Sequence, residues 1–275
     1  MGIRTRAILG EGLYRTFRPN GLVLVAALVV AGVVMQVGLS SLLLEAVTDV
    51  WDDILQTYPE VFEGTETPDD ALPLAVEMPR PLALFIFAIG LVATVLAVGV
   101  AVRVFASDRT DVVPRDLVVD DLVWMGVNLL VGTIIFAILW IVGLSLFVVP
   151  GVVAFVLLIY FVPAVAIEGR SFVDAMARSW RITRGNRLAV FVLFLAYFVF
   201  SILVTLVALV VGSFAILLHP IAAELVTQVA NGFLHVLFAA VVARSFQELV
   251  PRPSAQGDDG DAFDEFIPAD RNVQW

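Results

Sequence analysis

The uncharged run at residues 122–167, LVWMGVNLLVGTIIFAILWIVGLSLFVVPGVVAFVLLIYFVPAVAI, decides the fold. Its 46 residues would make one helix about 69 Å long, against about 30 Å of bilayer hydrocarbon. It must therefore turn back on itself. Pro150-Gly151 is the expected turn, because proline lacks the amide that a helix interior needs and glycine tolerates a sharp backbone. The run then reads as two spans, 122–149 and 151–167, joined as a tight hairpin.

Working outward, residues 21–44 and 81–102 each have the length of one span, and residues 188–243 have the length of two. His219-Pro220 divides the last run into 188–212 and 221–243. Six spans result, and the fold class is an all-α integral membrane protein, a six-transmembrane-helix bundle. Composition agrees: 60% of the 275 residues are hydrophobic and 15% charged, against roughly 45–50% and 25% in soluble domains. The organisation is one six-span domain, 1–253, followed by an acidic tail, 254–275, whose Gly/Asp-rich composition predicts disorder and whose Phe263, Phe266, Ile267 and Trp275 could engage a protein partner.

Arginine distribution sets the orientation. All 16 basic residues are Arg. Alternating the spans places every one of them except Arg80 on one side, while the long first loop on the other side carries ten carboxylates between Glu45 and Glu77. The positive-inside rule puts both termini in the cytoplasm of a multi-pass cell-membrane protein. The first run is too long for a signal-peptide core and is read as an uncleaved span. With 26 acidic residues and a net charge of −10, the soluble parts are strongly acidic, as expected of a salt-adapted protein from a halophilic archaeon.

Chemistry-bearing motifs are few. The sequence has no cysteine, no phosphate-binding loop, no paired metal histidines and no nucleophile elbow, so no cofactor, no metal, no nucleic acid and no enzymatic activity are expected. Of the two histidines, His219 stands beside Pro220 in a turn, where a capping or water-facing role is expected.

The sixth span is more informative. Glu224, Gln228, Asn231 and His235 fall at i, i+4, i+7 and i+11, on one helical face. Polar groups at this depth face a bundle interior, so the stripe is either a packed interhelical seam or the wall of a wet cavity. The seam is the commoner outcome, and Gln36 in the first span and Asn128 in the third are candidate partners for it. Ala93, Ala97 and Ala101, with Gly90 and Gly99 nearby, form a small-residue ridge along the second span that admits a close neighbour. Pro163 predicts a kink or an early end in the fourth span.

Two loops carry amphipathic patterns. Phe172, Met176 and Trp180 repeat at i, i+4 and i+8 between spans four and five, the pattern of an interfacial helix, with Arg178, Arg181 and Arg184 placed to meet anionic headgroups of the bilayer. Positive-inside anchoring explains the same arginines. In the first loop Val47, Val50, Trp51, Ile54 and Leu55 make a second apolar face, with Asp49, Asp52 and Asp53 turned away.

The hairpin and the loop after it carry a resemblance. Pro150-Gly151, Phe161, Pro163, Glu168 and Ser171, followed by Ala175, Arg178, Ser179, Trp180, Arg184, Gly185 and Asn186, resemble a six-span family that includes the membrane domain fused to some glycerophosphodiester phosphodiesterases. The resemblance implies a helical membrane domain of unassigned function. The Glu/His metal cluster of the phosphodiesterase itself is absent, so that activity does not carry over.

The function expected on these grounds is a non-catalytic polytopic membrane module that organises lipids or partner proteins. The alternative is a small transporter or lipid-handling carrier that uses the polar face of span six. An intramembrane enzyme has least support, since Glu224 and His235 stand about 16 Å apart along a helix.

Overall fold

In the computed structural model, residues 4–57, 72–107 and 115–250 are described. They form helices and no strand: α1 Thr5–Thr16, α2 Pro19–Thr57, α3 Arg80–Ala106, α4 Arg115–Val119, α5 Leu122–Leu146, α6 Val148–Leu158, α7 Phe161–Ala166, α8 Phe172–Arg184, α9 Arg187–Ala215 and α10 Pro220–Leu249. Six segments among them are long and apolar enough to cross a membrane: Pro19–Asp53, Arg80–Ala106, Leu122–Leu146, Val149–Ala166, Arg187–Ala215 and Pro220–Leu249. The tail expectation at 254–275 lies outside the described residues.

Helix starts follow local chemistry. Proline stands in the first turn of α3 and α10, where its missing amide would have had no partner. His219 caps α10 from an extended backbone, its Nδ1 accepting from the Ile221 amide at 3.2 Å. The first-loop apolar pattern is not a separate helix, because α2 continues without a break to Thr57.

The hairpin turns earlier than Pro150-Gly151. Phe147 is the extended residue, with φ −163° and ψ 152°, and Pro150 sits in the first turn of α6. There a proline loses no hydrogen bond, so it starts a helix rather than ending one. Gly151 serves packing instead: a Cβ on Gly143 would stand 2.8 Å from the Gly151 Cα.

Pro163 does break its span. Its ring is incompatible with the carbonyl four residues earlier, and the chain leaves α6 at Ile159 and resumes as α7 at Phe161.

Of three hairpins, α2/α3, α5/α6 and α9/α10, the first and third meet through α10, which touches α1, α2, α3, α7 and α9, and the second joins them through α3 and α9. Burial is graded along them. In α3, Val100, Ala101, Val102, Val104 and Phe105 are buried, whereas Leu82, Leu84, Phe85 and Ile89 are exposed. In α10 the buried run lies between Leu234 and Phe246, and Ile221, Leu225 and Val229 are exposed. In α9, Val190, Leu193 and Phe194 are buried, and Val199, Leu203, Leu206 and Val210 are not. The common core therefore sits at the arginine-rich end, and toward the other end the hairpins part.

Candidate functional site

At the arginine-rich end, polar side chains close the helix termini. The last carbonyls of a helix have no partner within it. Arg15 Nη1 donates to Phe105 O at 3.0 Å and Ser107 O at 3.2 Å, and Gln247 Nε2 donates to Ala106 O at 2.7 Å, so α1 and α10 together cap α3. Arg103 Nε donates to Ala166 O at 2.7 Å, and its Nη1 to Asp120 O at 2.6 Å and Leu117 O at 3.4 Å. One side chain thus caps both α7 and α4. Glu11 links Arg15, 3.1 Å away, to Arg244, 2.8 Å away. A cavity of about 310 Å³ opens beside Arg103, but that guanidinium is already committed to carbonyls.

Helix α8 packs against α5, α6 and α7. Its Ser179 hydroxyl repairs the α6–α7 break, donating to Leu157 O at 2.7 Å and accepting from the Tyr160 amide at 3.0 Å. Asn128 does not meet the sixth-span stripe. Its Oδ1 accepts from the Phe172 amide at 2.9 Å and so secures the start of α8, which Ser171 also caps through Asp174 N. Gln36 likewise turns to its own helix, donating to Ser40 at 3.2 Å.

Of the predicted surface residues, Phe172 and Met176 are half-buried and Trp180 is exposed. The inward face is Ala175, Ser179 and Thr183, each fully buried. Arg181 and Arg184 are exposed, while Arg178 turns back to pair with Glu168 at 3.2 Å.

Glu168 also pairs with Arg170. Burial alone would raise the Glu168 pKa, but the hydrogen bonds from Arg170 and Arg178 outweigh it and hold the carboxyl below its ordinary value. A carboxylate whose folded pKa is depressed contributes stability above its unfolded pKa and loses it as pH falls through the folded one. Hydrogen exchange of α8 should therefore accelerate below about pH 4 in the native chain, and Glu168→Gln should flatten that dependence. Equal acid sensitivity in both would show that the pair does not hold the helix.

The sixth-span stripe is divided by its surroundings. Gln228 is buried, donates to Glu224 Oε1 at 2.7 Å and faces α2, where a Cβ on Gly32 would come within 2.9 Å of its Oε1. Asn231 and His235 are exposed, and among the described residues neither hydrogen-bonds to another helix. His235 Nδ1 instead meets Asn231 O, its own backbone four residues back, at 2.7 Å.

Helical register shows which way the exposed pair looks. At about 100° per residue, Gln228, His235, Asn231 and Phe238 succeed one another across an arc of roughly 80°. Gln228 faces α2, and Phe238 stacks on Phe194 and Tyr197 of α9 with ring centres 5.9 and 5.5 Å apart. Two to three turns toward the arginine-rich end, the same face carries Val242 and Phe246, both buried, with Phe246 6.1 Å from Tyr160 in the turn between α6 and α7. Asn231 and His235 thus look into the bundle, into a crevice between α2 and α9 that is sealed below them.

The base of that crevice is aromatic. Phe194 lies 6.0 Å from Phe155 and 6.3 Å from Tyr160, contacts that join the third hairpin to the second, and Phe155 lies 6.0 Å from Phe136 within the second. Tyr197 anchors α9 to α10 through its hydroxyl, which donates to Leu234 O at 3.0 Å. Spacing identified the polar stripe. Nothing in the spacing reveals the ring cluster, because its members come from four helices and the turn between α6 and α7.

These features define an all-helical protein with, among the described residues, six apolar segments that are joined at the arginine-rich end and leave a polar face of the last helix exposed. The chain belongs to the family described as "Domain of unknown function (DUF7847)", which matches residues 3–249. Comparison with curated proteins gives no match, and comparison with solved structures gives none either.

Proposed function

We propose that this protein is a non-catalytic multi-pass module of the cell membrane, with both termini cytoplasmic, that organises lipid by admitting it between its hairpins. The observation that carries this reading is the burial gradient. A close-packed end with capped helix termini supports three hairpins whose far halves expose Val199, Leu203, Ile138 and Leu139. Apolar surface of that extent is satisfied by lipid chains. The test is native mass spectrometry of the protein released from nanodiscs: lipid is expected to survive delipidation that strips the bulk annulus. Complete delipidation without loss of the folded protein would end this reading.

A lipid-handling carrier is the second reading, favoured by the inward-looking Asn231 and His235. Anionic headgroups meeting Arg181 and Arg184, and a partner protein met by the tail, belong to the same proposal. The likeness to membrane domains of glycerophosphodiester phosphodiesterases concerns the stretch from Pro150 to Asn186, and the family match offers no link to those enzymes. Salt adaptation is supported by the acidic composition alone.

A further inference from the structure

The crevice has a defined chemistry at its depth. A backbone carbonyl only accepts, so the bond to Asn231 O places the proton on His235 Nδ1. In its uncharged form the ring then presents Nε2 as a bare acceptor, aimed away from its own helix. Four residues earlier, the exposed Asn231 side chain offers both a donor and an acceptor.

These two groups lie about 17 and 22 Å along α10 from Pro220, far from either end of a span. A polar group left bare at that depth is costly, and so is a charged ligand, because no arginine stands in residues 21–44 or 188–243 to meet a phosphate. The matching ligand must be uncharged, must donate one hydrogen bond and accept one, and must carry apolar chains for the surrounding hairpins. A hydroxyl on a lipid meets all three conditions.

Resting on the lipid-organising reading above, we propose that the crevice between α2 and α9 holds an uncharged lipid alcohol, of the diacylglycerol or polyprenol class. Its hydroxyl donates to His235 Nε2 and accepts from the Asn231 amide, and its chains lie over Phe238, Phe194 and Tyr197. Phospholipid is excluded from this position because its phosphate would have to leave water for hydrocarbon without a counter-charge.

The experiment measures retention of dioleoylglycerol and of geranylgeraniol, each beside its O-methyl ether, by native mass spectrometry of the full chain in nanodiscs. The ether keeps shape and apolarity and removes only the donated proton. Each alcohol should bind about tenfold tighter than its ether, one hydrogen bond's worth. His235→Phe should erase the difference by weakening the alcohol, and Asn231→Ala should weaken alcohol and ether alike, because an ether oxygen still accepts. Both side chains are exposed, so both variants should remain folded with unchanged thermal midpoints. Equal binding of alcohol and ether to the native chain, or an alcohol preference that survives in His235→Phe, overturns the assignment while leaving the lipid-organising reading intact. Failure to retain any lipid overturns both.

Discussion

Gly90→Val is expected to lower the thermal midpoint of the detergent-solubilised protein by roughly 10 °C or more. The close crossing of α2 and α3 is made of backbone on backbone. A Cβ at Gly90 would stand 2.3 Å from the Met35 amide nitrogen and 2.4 Å from its Cα, and a Cβ at Gly38 would stand 2.3 Å from the Phe87 nitrogen. Flexible side chains can swing away from an intruding methyl, but a helix backbone cannot. The two helices would have to separate along their whole crossing, losing the dispersion contacts of that close approach. Alanine at either position should already be harmful, and valine at Gly90 more so. Gly10 provides the opposite case on α1, since nothing lies within 4 Å of a Cβ built there. Gly10→Ala should stabilise α1 by about 0.5–1 kcal/mol through helix propensity alone. A Gly90→Val protein that melts with the native one would mean that the close crossing is not needed.

The parts of the fold set by hydropathy over about twenty residues were readable from the chain. All six apolar segments overlap the uncharged runs read from the chain, because transfer of a long apolar run is a large sum that no single contact reverses. Single-residue features were less legible. Pro150 reads as a breaker, yet a proline three residues into a helix costs nothing, so the turn moved to Phe147. Helix α1 carries no strong apolar stripe and is held by tertiary contact, Gly12 seating against Val241 and Leu237. On α8 the large apolar residues suggest one face, but the face that meets the bundle is built from the small Ala175, Ser179 and Thr183, which let the helix approach closely.

The candidate site shows the same division. Periodicity groups Glu224, Gln228, Asn231 and His235 on one side of a helix, and the structure keeps them there. Their environments diverge because neighbours do. Gly32 brings α2 against Gln228 and Gly232 seats against Val25 and Val29 of α2, so α2 borders Asn231 and His235 on one side, while on the other side the helix turns to Phe238, which meets α9. How far two helices diverge depends on contacts remote in sequence, chiefly the carbonyl capping at the arginine-rich end and the aromatic cluster that joins the second and third hairpins. Asn128 is the clearest misreading: an amide inside an apolar run suggests a partner on another span, but its partner is the first amide of α8, an orphan donor that the sequence does not advertise.

Arg103 tests whether arginine at this end acts as charge or as a shaped donor. The positive-inside rule counts Lys and Arg alike, so by charge alone Arg103→Lys would be silent. The geometry predicts otherwise. The guanidinium spans from Ala166 O on α7 to Asp120 O and Leu117 O beside α4, using nitrogens on two sides of a rigid plane. A lysine ammonium is a single point on a flexible stem and cannot reach both termini at once. Charge-assisted bonds of this kind contribute about 1.5–3 kcal/mol each, toward the lower end where water has partial access. Arg103→Met, which keeps the apolar stem, should therefore destabilise by about 3 kcal/mol, and Arg103→Lys should fall closer to Met than to the native chain. Both should loosen α7, whose last carbonyls become unpaired, and raise hydrogen exchange at residues 164–168 before the rest of the bundle. A lysine variant as stable as the native protein would return this arginine to the role of a topological charge. It would also leave the rigid end, and with it the parted hairpins above, without its main polar fastening.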